Sequence, residues 1–476
     1  MPVRIYLITV LGAALLAACG GSESDPASSP AVSGEPAGSP GAVAAPAPTP
    51  TPDPVAAPIA DPATPPVSSG DGGNPPSGDT VLPPSAISGD PSTPRPGANA
   101  PDLPAPGTAM GTVSPATFPS VAHDTNGNVL PTGSGKLAFE VVNAGLTRPW
   151  GFVPLPDGRM LVNEKAGTMR LVAANGSLSA PLTGVPAVDD LAQGGLLDVV
   201  ASPTFSTDGQ IFFSYSEATE GGTRIAVARA SLGNTGLSNL RVIFRQRTSR
   251  GDGLHYGTRM VFAPDGNLFV ALGERNNRPY AQSLETTLGK VIRIGPDGSI
   301  PADNPFINTP GAAPEIFSYG HRSPQGITID PRTGSLWMSE HGPQGGDEIN
   351  RVSAGLNYGW AHISHGREYD SGAQVGEGTS APDVVPPVAY WTPVSIAPSN
   401  IAFYTGDKVP ALKGKLLLAG MRAEALLAFQ VVGNAITAEA RYATELTERI
   451  RDVRVGFDGY PYVITDTGRL LRVTAR

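Results

Sequence analysis

The segment from Gly320 to Trp360 carries residue types that could hold an anionic ligand and a metal ion. The cation Arg322 comes first, glycines that expose the backbone follow, and the acidic residues Asp347 and Glu348 come next. A planar guanidinium suits carboxylate pairing and stacking on a flat ring, and calcium accepts carbonyl and carboxylate oxygens. The acidic residues can alternatively cap a turn. The segment therefore predicts an anionic cofactor and a metal.

A second pair of residues could move a proton. His255 precedes a strand pattern near Met260, and Glu274 follows the second strand of that pattern. A histidine with a carboxylate behind it can abstract a hydroxyl proton while the carboxylate stabilises the imidazolium. Such a pairing alone is more often structural.

A local group of arginines could bind an anion, although the chain is acidic overall. Its formal net charge is −9, from 33 Lys+Arg against 42 Asp+Glu, which gives no general attraction to nucleic acid or anionic lipid. Arg449 and Arg451 are two residues apart, so an extended segment places both guanidinium groups on one face. Arg322 and Arg422 extend this set, although alternating arginines are commonly only a solvated edge.

The motifs GHRSPQG, SLWMSEHGPQGGDEINRV and LNYGW resemble those of the soluble, quinone-dependent aldose sugar dehydrogenases of the glucose/sorbosone dehydrogenase family. The resemblance extends over essentially all of residues 136–476, with the motifs in the same order. It implies a six-bladed β-propeller that binds pyrroloquinoline quinone (PQQ) and calcium. It also implies that His255 is the catalytic base, that Glu274 assists it and that Arg322 acts at the quinone. The other PQQ-binding residues implied are Gln193, Arg422, Arg449 and Arg451.

The resemblance also implies two calcium ions. The carbonyl groups of Gly342 and Pro343 would bind the calcium that also ligates PQQ, and Glu348 and the Tyr358 carbonyl would bind a structural calcium. Two positions depart from the family pattern. Glu274 stands where aspartate is frequent, and Arg422 stands where lysine is frequent. The nearby Tyr390 and Trp391 either line the pocket or pack in the core.

The function implied is the oxidation of the anomeric carbon of an aldose to a lactone. In this hypothesis His255 takes the hydroxyl proton, hydride passes to PQQ, and electrons leave to an external cytochrome or quinone. Two alternatives are a calcium-dependent propeller lactonase, which carboxylate and Asn ligands on the axis would favour, and a non-catalytic glycan-binding propeller. The sequence contains no dinucleotide-binding G-x-G-x-x-G motif, P-loop or G-x-S-x-G motif in the required context.

A recurrent pattern predicts the all-β fold. An apolar strand, a turn built on Asp-Gly or a relative, and a second strand recur six times, starting at Phe152, Val199, Met260, Ile327, Ile401 and Val453. Six such repeats with motif-bearing loops after equivalent strands favour a six-bladed propeller, because these loops then converge on one face. A β-sandwich with many hairpins is the alternative.

The first part of the chain has a different composition. Residues 1–18 are typical of a lipoprotein signal peptide, and Cys19, the only cysteine, stands at the expected lipidation point. Residues 19–135, rich in Pro, Ala, Gly and Ser, predict a disordered tether, and residues 136–476 the propeller. The expected location is the periplasmic face of the outer membrane, with membrane contact through the lipid alone.

Overall fold

The chain forms six β-sheets in the computed structural model, which describes residues 120–443 and 447–476. The signal peptide, Cys19 and most of the proposed tether lie outside the described residues, so these assignments stay predictions. Within the described ranges, no helix is long and apolar enough to cross a membrane.

Short strands make up almost all of the regular structure. The first half contains β1 (Val121–Asp124), β2 (Thr132–Ser134), β3 (Leu137–Asn143), β4 (Pro149–Pro154), β5 (Met160–Glu164), β6 (Thr168–Val172), β7 (Leu196–Ala201), β8 (Gln210–Thr219), β9 (Gly222–Leu232), β10 (Leu237–Arg245), β11 (Gly257–Phe262), β12 (Leu268–Leu272) and β13 (Lys290–Ile294). The second half contains β14 (Ile316–Tyr319), β15 (Ser323–Ile329), β16 (Leu336–His341), β17 (Asp347–Val352), β18 (Ala389–Thr392), β19 (Pro398–Phe403), β20 (Leu416–Gly420), β21 (Ala425–Val432), β22 (Ala435–Ala443), β23 (Ile450–Val455), β24 (Pro461–Thr465) and β25 (Leu470–Ala475). The helical pieces are α1 (Phe205–Asp208), α2 (Arg278–Gln282) and a 3-10 turn at Pro410–Leu412.

Each sheet is one blade of a six-bladed β-propeller. Blade 1 is β4-β5-β6, blade 2 is β7-β8-β9-β10 and blade 3 is β11-β12-β13-β14. Blade 4 is β15-β16-β17-β18 with β1 at its edge, blade 5 is β19-β20-β21-β22 with β2 at its edge, and blade 6 is β23-β24-β25 with β3 at its edge. The first strands of successive blades contact one another around a closed ring, from β4 through β7, β11, β15, β19 and β23 back to β4. This arrangement confirms the predicted fold.

The six predicted hairpins are the first two strands of the six blades. Four of them turn through an Asp-Gly pair whose glycine has a positive φ, of 86° at Gly158, 59° at Gly209, 85° at Gly266 and 82° at Gly459. Glycine adopts this left-handed conformation without the steric penalty that a Cβ imposes. Apolar residues of adjacent sheets fill the space between blades, as in the cluster that joins Trp150 of blade 1 to strands of blades 2 and 3.

The predicted start of the propeller was wrong. Strands β1 and β2 lie within residues 120–135, which the sequence had assigned to the tether. Strand β1 pairs antiparallel with β18, β2 pairs parallel with β22, and β3 pairs antiparallel with β25. Strands β1 and β2 have only four and three residues, and distant partners supply their hydrogen bonds, so local periodicity gives little sign of them. The N-terminal segment thus completes blades 4, 5 and 6.

One arginine closes the centre of the ring. Arg259, on the first strand of blade 3, is fully buried and lies 4.1 Å from the centroid of the Trp150 ring of blade 1. Its Nη1 donates to Asp198 of blade 2 at 3.0 Å and to Asp452 of blade 6 at 2.9 Å. Its Nε donates to the Gln325 carbonyl of blade 4 at 3.0 Å. A single side chain therefore ties four other blades to its own.

Candidate active site

The predicted site residues lie at one end of the blades. The hairpin turns occupy the opposite end, because the start of each first strand and the end of each second strand are neighbours in an antiparallel pair. Residues just before a first strand are Gln193, His255, Arg322 and Arg449, and residues just after a second strand are Glu274, Gly342, Arg422 and Asp466. The propeller thereby collects side chains from distant parts of the sequence on one face.

His255 and Glu274 form the predicted pair. The imidazole Nδ1 lies 2.8 Å from Glu274 Oε2, and the two side chains are 12% and 1% exposed. Glu274 also accepts a hydrogen bond from the Asn276 amide at 2.5 Å, which fixes the carboxylate. The side-chain oxygen of Gln193 accepts from the His255 backbone N–H at 2.9 Å. Gln193, predicted to contact the cofactor, thus also holds the backbone of the histidine.

The surroundings of His255 favour a neutral imidazole. Burial and the positive charge of Arg322 lower the pKa of His255, and Glu274 only partly opposes them. Burial would raise the pKa of Glu274, but His255 and Arg322 outweigh it, so its pKa is lowered and it stays ionised. An ionised Glu274 accepts the Nδ1–H of the histidine. The tautomer with an unprotonated Nε2 follows, and this is the form that acts as a base.

Arg322 connects this pair to the metal-binding segment. Its carbonyl accepts from the Glu274 amide at 2.9 Å, and its own amide donates to Glu340 Oε2 at 2.8 Å. Its Nη1 donates to the His341 carbonyl at 3.3 Å, whereas its Nε is buried without a partner among the described residues. A buried donor without an acceptor is unfavourable. The guanidinium is therefore suited to an anionic ligand.

Arg449 and Arg451 are held together by one carboxylate that the sequence did not single out. The Nε atoms of both arginines donate to Asp466, each at 2.8 Å. The two arginines outweigh the effect of burial and lower the pKa of Asp466, so it stays ionised. Asp466 thus fixes both guanidinium groups on one side of the blade. Arg422, which is exposed, is joined to the same region because Arg449 Nη2 lies 3.6 Å from Met421 Sδ.

Two further residues of this face escaped the sequence reasoning. His341 donates from Nε2 to the Pro398 carbonyl at 2.8 Å, and burial lowers its pKa to about 3, helped by Arg322, Arg451 and Arg449. Lys165 donates to the Asp190 carbonyl at 2.6 Å, and burial lowers its pKa to about 8, with Arg148 and Arg451 also contributing. Arginines of blades 4 and 6 thus contribute to the lowered pKa values of these two residues.

Asp347 organises the Gly342 loop. It accepts from the Gly342 amide at 3.1 Å, from Ser395 Oγ at 2.6 Å and from the Ile396 amide at 2.7 Å. Burial raises the pKa of Asp347 to about 6 despite these bonds. The turn-capping alternative therefore holds for Asp347. The loop is compact, since a Cβ on Gly342 would lie 2.3 Å from the Gly345 carbonyl oxygen.

Glu348 has a different environment from Asp347. It is directly opposite Glu340 in the register of β16 and β17, and both carboxylates accept from Asn350 Nδ2, at 3.0 and 2.9 Å. Like charges directly opposite each other are destabilising. Burial and Glu340 raise the pKa of Glu348 to about 8. A cation beside the pair would remove this repulsion.

A small pocket brings together three of the four predicted metal residues, whereas Pro343 does not line it. Gly342, Glu348 and Tyr358 line it with Arg322 and Trp360, and its free volume is about 20 Å³. That volume suits a single water-sized particle. No group of three or more His, Cys, Asp or Glu side chains in the described residues could hold a metal, so backbone carbonyls would have to contribute. Calcium accepts such oxygen ligands.

Tyr390 and Trp391 do not line this pocket. Trp391 is fully buried in the core between blades 4 and 5, and its Nε1 donates to Glu439 at 3.0 Å. Tyr390 stacks between His365 and His123, with ring centroids 3.6 and 4.9 Å away. The core-packing alternative therefore describes Trp391.

Comparison with known proteins agrees with this geometry. The sequence profile of the family described as Glucose / Sorbosone dehydrogenase matches residues 146–472, which include all six blade repeats. The chain belongs to the glucose/sorbosone dehydrogenase family. Membership makes it an oxidoreductase that acts on sugars.

Individual relatives of this sugar dehydrogenase cover the same region. Aldose sugar dehydrogenase YliI of Escherichia coli (strain K12) is 43% identical over 345 residues, covering 71% of this chain and 92% of the relative. The crystal structure of the soluble aldose sugar dehydrogenase from Escherichia coli in the apo form superposes with a TM-score of 0.70 at 42% identity, covering 72% of this chain and 100% of that one. The PQQ-bound form of aldose sugar dehydrogenase from Streptomyces coelicolor gives 0.59 at 28% identity, covering 72% and 99%.

The residues of this sugar dehydrogenase fit a quinone with three carboxylates. Arg322, which lines the small pocket, has an Nε donor that is buried without a partner among the described residues. The paired arginines at Asp466 add positive charge on the same face. Charge-assisted bonds from guanidinium groups suit carboxylates. The facing carboxylates of Glu340 and Glu348 suit a divalent cation in the same way.

Proposed function

We propose that this protein oxidises the anomeric carbon of aldose sugars to lactones with PQQ and calcium as cofactors. The observation that carries the proposal is the neutral His255, oriented by buried Glu274 and placed beside an arginine with an unused donor. A base next to a site for an anionic quinone is what the reaction requires. The PQQ-bound relative supports the choice of cofactor.

The site residues would have separate roles in this reaction. His255 takes the proton of the anomeric hydroxyl at Nε2, and Glu274 stabilises the imidazolium that results. When bound, PQQ with calcium would supply a two-electron acceptor for the hydride from C1. Arg322, Arg422, Arg449 and Arg451 would hold its anionic groups, with Gln193 keeping His255 in place. The proposed partner that would take up the electrons is an external cytochrome or quinone.

The proposal is tested by titrating PQQ into the purified protein with calcium present, then adding aldose and a redox dye. Saturable quinone binding and sugar-dependent dye reduction, with lactone as the product, are expected. Absence of quinone binding at high PQQ and calcium concentrations would overturn the proposal.

The acid limb of the pH–rate profile should have its midpoint below the pKa of an ordinary histidine. The base works only when unprotonated, and the lowered pKa of His255 keeps it unprotonated to lower pH. In kcat/KM the limb should therefore fall below about 6.5. Glu274→Gln should move the limb lower still, because the carboxylate favours the imidazolium. A limb at or above 6.5 would contradict the assignment of the base.

Calcium should stabilise the protein through Glu348. At a hundredfold excess over its dissociation constant, a bound ion contributes about 2.7 kcal/mol, which raises Tm by several degrees. Glu348→Gln should remove most of this increment, since it removes a charged ligand and the repulsion from Glu340. The measurement is thermal unfolding with calcium and with a chelator.

The matched control for Glu348→Gln is Glu377→Gln, which changes an exposed carboxylate in the loop after blade 4's third strand. It should keep the full calcium-dependent rise in Tm. An equal rise in wild type and Glu348→Gln would show that the ion binds elsewhere.

The axis of the propeller does not favour the lactonase alternative. Asp198, Asn400 and Asp452 do converge there, as that alternative requires. However, the guanidinium of Arg259 occupies the centre and pairs with both carboxylates. A cation from the chain itself therefore fills the position that an axial metal would need.

The N-terminal assignments remain part of the proposal. A lipid on Cys19 would anchor the enzyme at the outer membrane, facing the periplasm, where residues 20–119 would separate it from the lipid surface. Radiolabelled palmitate incorporation into wild type but not Cys19→Ser would support the lipid anchor.

A further inference from the structure

The ring of Trp360 contacts two arginines beside the pocket. The Arg322 guanidinium carbon lies 5.2 Å from the centroid of its ring, and that of Arg278 lies 5.3 Å away. Trp360 is 5% exposed and lines the small pocket with Arg322. A guanidinium within about 6 Å of a tryptophan centroid is attracted to the ring, most strongly when both are shielded from water. The ring therefore restrains Arg322, whose Nη1 bond to a carbonyl is long at 3.3 Å.

The backbone of Trp360 is fixed from two sides. Its amide donates to the Gly320 carbonyl at 2.9 Å, two residues before Arg322, and its carbonyl accepts from Gln282 Nε2 at 2.7 Å. The ring packs with Ala281 and Val375 in a small apolar cluster. Trp360 is thus a rigid surface tied to the same strand entry as the arginine that it contacts.

Arg278 is itself fixed by an ion pair with Glu368. Its two terminal nitrogens donate to the two oxygens of Glu368, at 2.6 and 2.8 Å. A bidentate pair has a defined geometry, unlike a single exposed ion pair. A series of side-chain contacts therefore connects a surface loop to the proposed quinone site, from Glu368 through Arg278 and Trp360 to Arg322.

We propose that Trp360 is a positioning residue that sets the plane of the Arg322 guanidinium for the quinone, and that contact with Arg278 restrains the Trp360 ring. The inference rests on the proposed function, since it concerns the same site. Trp360 acts through its ring face. Its contribution is the orientation of Arg322 before the cofactor binds, which lowers the entropy lost on binding.

The test compares Trp360→Leu, Trp360→Phe and Arg278→Met by equilibrium dialysis of PQQ with calcium present. Trp360→Leu removes the ring and should weaken PQQ binding about tenfold. Trp360→Phe keeps an aromatic face and should stay within about threefold of wild type. Arg278→Met should weaken binding about threefold. At saturating PQQ, Trp360→Leu should lower kcat and leave the KM for sugar unchanged, because Arg322 is assigned to the quinone.

The matched control is Tyr460→Leu, which removes the ring 5.1 Å from Arg472 on the outer part of blade 6. It should leave PQQ binding unchanged. If Trp360→Phe weakens binding as much as Trp360→Leu, the lost group is the indole N–H and the positioning role is wrong. If neither Trp360→Leu nor Arg278→Met weakens binding, the role is also wrong, while the dehydrogenase proposal stands. If Trp360→Leu does not fold, Arg278→Met decides alone. Failure of wild type to bind PQQ would overturn both proposals.

Discussion

His255→Ala is expected to lower kcat about 1,000-fold while PQQ still binds. General base catalysis contributes about 10²- to 10⁴-fold, and alanine leaves Glu274 without the proton carrier that it orients. The arginines that would hold the quinone belong to blades 4, 5 and 6, so the substitution in the blade 3 entry spares them. Dye-linked turnover at saturating PQQ, together with a quinone titration, measures both quantities.

The controls for His255→Ala separate the base from its surroundings. His362→Ala removes an exposed imidazole from a loop of blade 4 and should leave turnover unchanged. Glu274→Gln keeps a hydrogen-bonding group at His255 but removes its charge, so kcat should fall by roughly 10- to 100-fold, less than for the alanine variant. Sugar oxidation by His255→Ala at wild-type rate would show that another group is the base.

Arg259→Met should destabilise the propeller by about 3 kcal/mol or more. The substitution keeps an apolar stem but removes the charge that Asp198 and Asp452 share at the axis. Arg454 remains near both carboxylates, at 2.7 and 3.4 Å, and can neutralise only one of them. Removal of one partner from a buried ion pair costs about 3–5 kcal/mol. Urea unfolding of wild type and variant, compared at constant m, gives the difference in the free energy of unfolding.

Arg472→Met is the matched control for the axial substitution. Arg472 pairs with Glu140 at 2.6 Å, and the two side chains are 40% and 48% exposed. A solvent-exposed pair of this kind contributes about 0–1 kcal/mol. Equal losses in the two variants would mean that the axial arginine is not a special contact, and that the ring of blades is held by apolar packing alone.

The fold was predictable from local sequence because each blade repeats the same hairpin. Phe152, Met260 and Val453 each begin an apolar strand before an Asp-Gly turn, and all three lie in first strands of blades. The degenerate repeat at Ile401 was also correctly placed. The order of the motif-bearing loops also predicted where the site lies, since equivalent loops meet on one face of a propeller.

The remaining features depend on partners that local patterns do not reveal. Arg259 pairs with the carboxylate of Asp452, which is 193 residues away in the sequence. Asp466, just after the second strand of its hairpin, binds two arginines at the start of the first strand. The acidic pair in the Gly342 loop could be recognised, but its two members act differently. Asp347 caps the loop, whereas Glu348 opposes Glu340, a residue that the sequence analysis did not single out. Strand register, which decides such pairings, is a property of the folded sheet.

The edge strands β1, β2 and β3 set an order of events during synthesis. They leave the ribosome before any blade, yet their partners β18, β22 and β25 are made last, as in the pairing of Val121 with Thr392. At about 5–20 residues per second, an interval of roughly 300 residues takes about 15–60 seconds. For that time the N-terminal strands are exposed edges, which are prone to pair with other chains. The protein thus depends on its last three blades to protect its first three strands.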